Sequence, residues 1–233
     1  MAYQNYTVTI KMNSATVTAL INSGNYLFGF KAVQSSDQAG RPLVWSRTQD
    51  FSTTTAVNWT NQYNAYTSHT DIEPGALIQV VFSAPALTGQ TLEVVAGGTG
   101  SVVNSGPTYA ISVLNTTTTP FTCGLAEGSA ASPLCAFPLY GNNLQTITPL
   151  EKILLLFSTE PTDPGTVVST FYNNLLLARE SLSQGILIDM TGSTQRSVSY
   201  DINQGWSWGG YTWAQTVAAN ANLVPLLIEP PND

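Results

Sequence analysis

Tyr6-Thr7-Val8-Thr9-Ile10 alternates apolar and polar side chains, and this stretch decides the fold. Successive side chains of a strand point to opposite faces, so Tyr6, Val8 and Ile10 would enter a core while Thr7 and Thr9 face water. The pattern returns along the chain. Tyr26 to Val33, Pro42 to Trp45, Thr54 to Trp59, Ala76 to Ser83, Ser101 to Val103 and Tyr109 to Leu114 read as further strands. Asp37 to Gly40, Asn61 to Asn64 and Glu73-Pro74-Gly75 read as turns between them. After the first strand the period changes. Ser14 can cap, Val17, Leu20 and Ile21 fall on one helical face, and Gly24 suits a stop, which predicts a helix over Ser14 to Asn22.

The second half reads less evenly. Thr148-Pro149-Leu150-Glu151 has the form of a capping box. The continuous apolar run Ile153 to Phe157, stopped by Pro161 and Pro164, favours a buried strand instead. Thr166 to Tyr172 and Leu175 to Ala178 follow as strands joined at Asn173-Asn174. Ile186 to Ile188, a turn at Thr191-Gly192-Ser193 and Ser197 to Tyr200 predict a hairpin. Leu223 to Ile228, interrupted by Pro225, belongs on a sheet edge. Short strands at this spacing predict a mostly-β fold, an antiparallel sandwich or barrel-like domain with one or two short helices. Residues 1–233 read as a single β-rich domain, with a composition shift near 115–135 that would permit a subdomain boundary.

Composition narrows the chemistry. Only 9% of the residues are charged, and the net charge is -7 from 14 acids and 7 basic residues. Nucleic acid binding needs clustered Lys and Arg, and Arg41 and Arg47 are the nearest basic pair, so no nucleic acid partner is expected. The first residues lack the basic and apolar regions of a signal peptide. The composition is nonetheless of an extracellular type, with sequons at Asn5, Asn58 and Asn115. Cys123 and Cys135 are twelve positions apart across turn residues, a spacing that a disulfide could close.

Catalytic constellations are scarce. His69 is the single imidazole and lies in a polar stretch without a nucleophile signature, so no catalytic role is expected. One His and two Cys do not make an ordinary zinc site, and no metal or cofactor is expected. Gly97-Gly98-Thr99-Gly100 lacks the Lys of a phosphate-binding loop and reads as hairpin turn. Asp189 and Asp201 are the better carboxylates for a paired mechanism, but they read as turn-capping residues. Ile186 to Ser193 resembles the Asp-Thr-Gly-Ser loop of aspartic proteases, but Met190 separates Asp189 from Thr191 and no second copy follows.

The aromatic cluster near the C-terminus is the most suggestive feature. Trp206, Trp208, Tyr211 and Trp213 lie among glycines, with Asn203 and Gln204 just before them. Exposed Trp and Tyr offer flat apolar faces and a hydrogen-bonding edge suited to sugar rings. These six residues are the expected ligand-binding set; the competing reading plugs the aromatics into the core. The resulting expectation is a lectin-like, non-enzymatic recognition protein for a glycan or cell-surface ligand, acting as a homo-oligomer. A membrane-acting, pore-forming protein is the alternative, resting on the uncharged Gly97 to Thr119 segment. A self-assembling structural protein is the third, because low charge leaves strand edges poorly protected.

Overall fold

A computed structural model describes residues 3–128, 131–170 and 184–231. Strand accounts for about 51% of the chain and helix for about 7%, which makes this a mostly-β sandwich or half-barrel domain. In chain order the elements begin with β1 (Asn5–Lys11), α1 (Ser14–Asn22), β2 (Tyr26–Gln34), β3 (Arg41–Pro42), β4 (Ser46–Thr48), β5 (Thr54–Thr60), β6 (Tyr63–Ser68) and β7 (Val80–Pro85). They continue with β8 (Thr91–Val94), β9 (Gly100–Val103), β10 (Ile111–Asn115), β11 (Phe121–Glu127), β12 (Ser132–Pro133), β13 (Cys135–Leu139) and β14 (Leu144–Ser158). The last are β15 (Gly185–Asp189), β16 (Gln195–Asp201), β17 (Gly205–Ser207), β18 (Ala214–Val217), α2 (Val224–Leu227) and β19 (Ile228–Glu229).

The strands form three sheets. One has the order β17-β16-β1-β5, and a second runs β3-β13-β11-β6-β7 with β12 on β11. The largest runs β18-β15-β14-β10-β8-β9, with β2 paired to β14 and carrying β4 and β19. Pairing is mainly antiparallel, with parallel contacts at β1–β16, β8–β10 and β2–β19. Alternation on β1 is realised as read: Tyr6, Val8 and Ile10 are buried and their neighbours are not. Residues from all three sheets meet in one core that includes Val8, Ile10, Val33, Leu125, Ile153 and Trp206.

Several local expectations change. The cap of α1 is Asn13, whose side chain accepts from the Thr16 backbone N–H at 2.7 Å, one residue before Ser14. Thr16 and Leu20 face the core, while Ile21 is exposed. The strand reading of Ile153 to Phe157 holds, within a strand that starts at Leu144. The hairpin expected around Thr191-Gly192-Ser193 does not form. β15 pairs β14 and β18, whereas β16 pairs β1 and β17, so the turn passes the chain from one sheet to another. Leu223 to Ile228 is one helical turn and then a two-residue edge strand, because Pro225 suits a first helical turn, where no backbone N–H is needed. Of the strands read at Thr166 to Tyr172 and Leu175 to Ala178, the first reduces to isolated bridges at Thr166, Val167 and Thr170, and the rest lies outside the described residues.

Cys123 and Cys135 are free and buried, so the disulfide reading is corrected. Cys123 pairs across the β11–β13 ladder with Phe137, which makes Cys135 a diagonal neighbour. Diagonal Cα atoms in such a ladder lie about 7–8 Å apart, beyond the usual span of a disulfide. Burial pushes the Cys135 thiol up to about 12 and Cys123 well above its ordinary value, so both remain protonated.

Close packing around β11 is tightest at Gly124. A side chain there would land on the carbonyl oxygen of Cys135 and within 2.8 Å of the Tyr66 ring and hydroxyl. That hydroxyl donates to the same carbonyl at 2.7 Å. Gly124→Ala is therefore expected to destabilise the protein by about 3 kcal/mol, the upper end of ordinary overpacking, read as a lowered midpoint in urea at unchanged slope.

Candidate functional site

The C-terminal aromatic cluster is divided by the fold. Trp206 is 7% exposed and sits in the core, stacked on Phe157 at 5.5 Å and tilted against Tyr200 at 4.9 Å. Its indole N–H donates to the Gln184 carbonyl at 2.9 Å. A side chain so enclosed cannot stack on a ligand, so Trp206 leaves the set. It lies opposite Tyr200 in the β16–β17 ladder, and that register turns it inward.

The other five residues separate to two ends of β16. Asn203 and Gln204 are exposed in the turn after Asp201. Trp213 lies over Arg196, five residues back along the strand, with its ring 4.9 Å from the guanidinium. At about 3.4 Å per residue the two places are roughly 17 Å apart. Tyr211 stacks on Trp213 at 6.0 Å and is 63% exposed. Gly209 and Gly210, at φ +75° and +72°, make the turn that folds Tyr211 back, and the Trp208 indole N–H donates to the Tyr211 carbonyl at 2.8 Å. What remains is a short ladder, Arg196–Trp213–Tyr211, with Tyr211 outermost. Trp206→Ala should cost about 3–5 kcal/mol, as for a Trp removed from a packed interior, while Tyr211→Ala should stay within about 0.5 kcal/mol; chemical denaturation of the two variants checks both.

A second constellation, built from residues that carry no motif, is better enclosed. Lys31 lies in the middle of β2, 1% exposed, on the face it shares with Leu27 and Val33. Glu127 ends β11, 3% exposed, on the face of Cys123 and Leu125. Their charges meet at 3.4 Å, without the geometry of a hydrogen bond. The ammonium also lies 4.1 Å from the ring centre of Trp59 and 5.3 Å from that of Trp45. Trp59 stands opposite Tyr6 in the β1–β5 ladder, with the rings stacked at 5.4 Å. Tyr63 stands opposite Glu127 in the β6–β11 ladder. Glu151 approaches from β14, where the register shifts between Pro149 and Ile153. Pro149 has no N–H to give the ladder, and a bulge of this kind re-aims the side chains it contains.

This cluster leaves polar atoms without partners. Both carboxylate oxygens of Glu127, the Trp59 indole N–H, the Tyr63 hydroxyl and one Glu151 oxygen are buried with no hydrogen bond. Desolvation pushes the Glu127 carboxyl up to about 7, against the pull of Lys31. Glu151 is raised for the same reason, and the Lys31 ammonium is held below its ordinary value by burial. Burial first, and Glu151 beside it second, push the Tyr6 hydroxyl up to about 12.

A cleft of about 570 Å3 opens over this group beyond the edge of β5. Glu127, Tyr6, Trp45 and Trp59 reach it from within, while Asn5, Asn58, Thr60, Ser46 and Ser132 line its mouth. The Thr7 hydroxyl donates to the Asn58 side-chain oxygen at 2.9 Å and fixes that amide. Among the described residues no group of three or more His, Cys, Asp or Glu side chains could hold a metal ion. No helix among them is long and apolar enough to cross a membrane. His69 packs on Phe121 at 5.3 Å, away from this cleft. No protein-family model, curated protein or solved structure matches the chain.

Sequence reasoning did not reach this site, although Lys31 was a signal. A lone Lys inside the apolar run Tyr26 to Val33 requires a buried counter-charge or a break in the strand. Removing one partner of such a pair leaves a buried charge unmatched, so Glu127→Gln should cost about 3–5 kcal/mol near neutral pH. Adding Lys31→Met should recover much of that loss, because no unmatched ammonium then remains. The pH dependence has a definite sign. Folding raises the Glu127 pKa from 4.5 to about 7, so its contribution is complete below about 4.5 and lost as pH rises through about 7. Glu151 adds to the same trend. Burial lowers the Lys31 pKa, which works in the opposite sense to Glu127, and that contribution is complete only above the ordinary lysine value. The melting temperature should therefore fall between about pH 4.5 and about pH 7, and Glu127→Gln should flatten that fall.

Proposed function

We propose that the protein is a non-enzymatic, lectin-like recognition protein that takes a neutral sugar into the cleft over Glu127 and Trp59. The observation that supports this reading is a buried acceptor and a buried donor, the Glu127 carboxylate and the Trp59 indole N–H, both without a hydrogen-bond partner just beneath a cleft open to solvent. A buried polar group left without a partner costs about 1–3 kcal/mol. A ligand carrying both donors and acceptors on adjacent carbons would relieve that cost, and sugar hydroxyls do both. The mouth supplies amides and hydroxyls and no free charge. The Trp59 ring is already engaged by Tyr6 and Lys31, so recognition here runs through hydrogen bonds more than through stacking. The volume falls in the range of small-ligand sites, about 300–1,000 Å3.

The Arg196–Trp213–Tyr211 ladder is the competing sugar surface, and one experiment separates the two. A glycan array identifies a neutral sugar, and calorimetry then measures it against variants. Asn58→Ala should weaken binding about tenfold, a loss of about 1.4 kcal/mol, with stability unchanged, and Tyr211→Ala should leave affinity intact. The reverse pattern moves the site to the ladder. An array without a neutral-sugar ligand removes the proposal.

A further inference from the structure

We infer that a second cleft, formed by Arg41, His69, Asp71, Phe121 and Tyr140, binds an acidic sugar of the uronic acid type through its carboxylate. The cleft holds about 400 Å3. It lies at the start of β11, near Phe121, whereas the neutral-sugar cleft lies at the end of that strand, near Glu127. Six residues of strand separate the two, roughly 20 Å.

Arg41 is held in place before any ligand arrives. One of its terminal nitrogens, Nη1, donates to the carbonyls of Gln38, Ala39 and Gly40 at 3.4, 3.1 and 2.8 Å. The loop that presents those carbonyls is itself tied down. Asp37 accepts from the Ala39 N–H at 2.8 Å, Gln38 donates to the Ser35 carbonyl at 3.2 Å, and the Ser35 hydroxyl accepts from buried Gln145 at 2.8 Å. The ion pairs among the described residues are Lys31–Glu127, Arg47–Asp163 and Lys152–Glu229, so neither Arg41 nor Asp71 is neutralised by another described residue. A guanidinium fixed at one corner, with Nε and Nη2 still to donate, matches a carboxylate in a fork of two hydrogen bonds.

The rest of the cleft selects what the carboxylate is attached to. Tyr140 is 60% exposed and offers a flat apolar face of the kind that covers a sugar ring. His69 is anchored against Phe121 and can give or take a hydrogen bond. Asp71 would repel a phosphate or any multiply charged anion, but it accepts hydroxyl donors. A singly charged ligand with a carboxylate at one end and hydroxyls along the other satisfies Arg41 and Asp71 together. This site is independent of the neutral-sugar reading, because the two clefts share no lining residue.

His69 is the only histidine of the chain, so its imidazole proton signals report on this cleft without further assignment. The full chain is titrated with glucuronate at constant pH, with glucose and acetate as controls. The expected result is a saturable shift of the His69 signals with a Kd on the order of 1 mM, little shift with glucose, and a clearly weaker response to acetate. Arg41→Gln should weaken binding at least tenfold, and Tyr140→Ala, at an exposed position, should weaken it several-fold with the melting temperature unchanged. Absence of a saturable shift with glucuronate overturns the proposal. So does an equal response to glucose or to acetate, or a response that survives both substitutions. Asn58→Ala should leave the His69 titration unchanged, so failure at one cleft is read separately from failure at the other.

Discussion

One ion pair sets the terms for the interior. Lys31 comes from the largest sheet, Glu127 from the six-stranded one, and the tryptophan ring beneath the ammonium from the four-stranded one. A charge buried among apolar residues is tolerable only with its counter-charge in place. The three sheets can therefore dock in few ways other than the one that brings these side chains together. Apolar contacts supply most of the driving force, but they are not directional. The charge pair and the Trp59 ring under the ammonium supply the direction. The same arrangement leaves polar atoms without hydrogen bonds beneath an open cleft. A feature that fixes the docking of the sheets thus also leaves the unpaired polar atoms on which the proposed sugar site rests.

What the sequence discloses about this fold follows from which residues carry a period. β1 and β5 alternate and α1 cycles clearly, while β2 shows as a continuous apolar run, and the positions of all four can be read directly. The six-stranded sheet is harder to see. β6 and β11 are buried along their whole length, so neither shows an alternation between wet and dry faces. Asn64, Thr67, Thr122 and Glu127 look like surface residues in sequence, and each is buried against a neighbouring strand. The turn at Thr191-Gly192-Ser193 carries hairpin chemistry, yet the strands it joins take partners far along the chain. Local rules describe the turn and say nothing of the partner.

The aromatic cluster shows the same limit at the scale of single side chains. Trp206 and Trp208 lie two apart and share the strand period, but Trp206 enters the core while Trp208, past the end of β17, is only partly buried against it. The end of a strand is where period-two reasoning stops. The charged site was less legible still, since Lys31, Glu127 and Glu151 are more than a hundred positions apart at their widest and belong to no motif. Only the chemical oddity of Lys31 within an apolar run pointed to it.

The parallel pairing of β1 with β16 bears on how the molecule is assembled during synthesis. Thr7 through Lys11 are made long before their partners Gln195 through Ser199. β2 likewise waits for Ile228 and Glu229. Contacts of such long range close slowly, because the intervening chain must first be gathered. While the nascent chain emerges, one flank of β1 can pair with β5 and the other stays open. An open strand edge invites pairing with other chains, and this chain has few charges to discourage it. Its yield in cells should thus depend on the speed of translation and on chaperones that shelter that edge, more than on the stability of the finished fold.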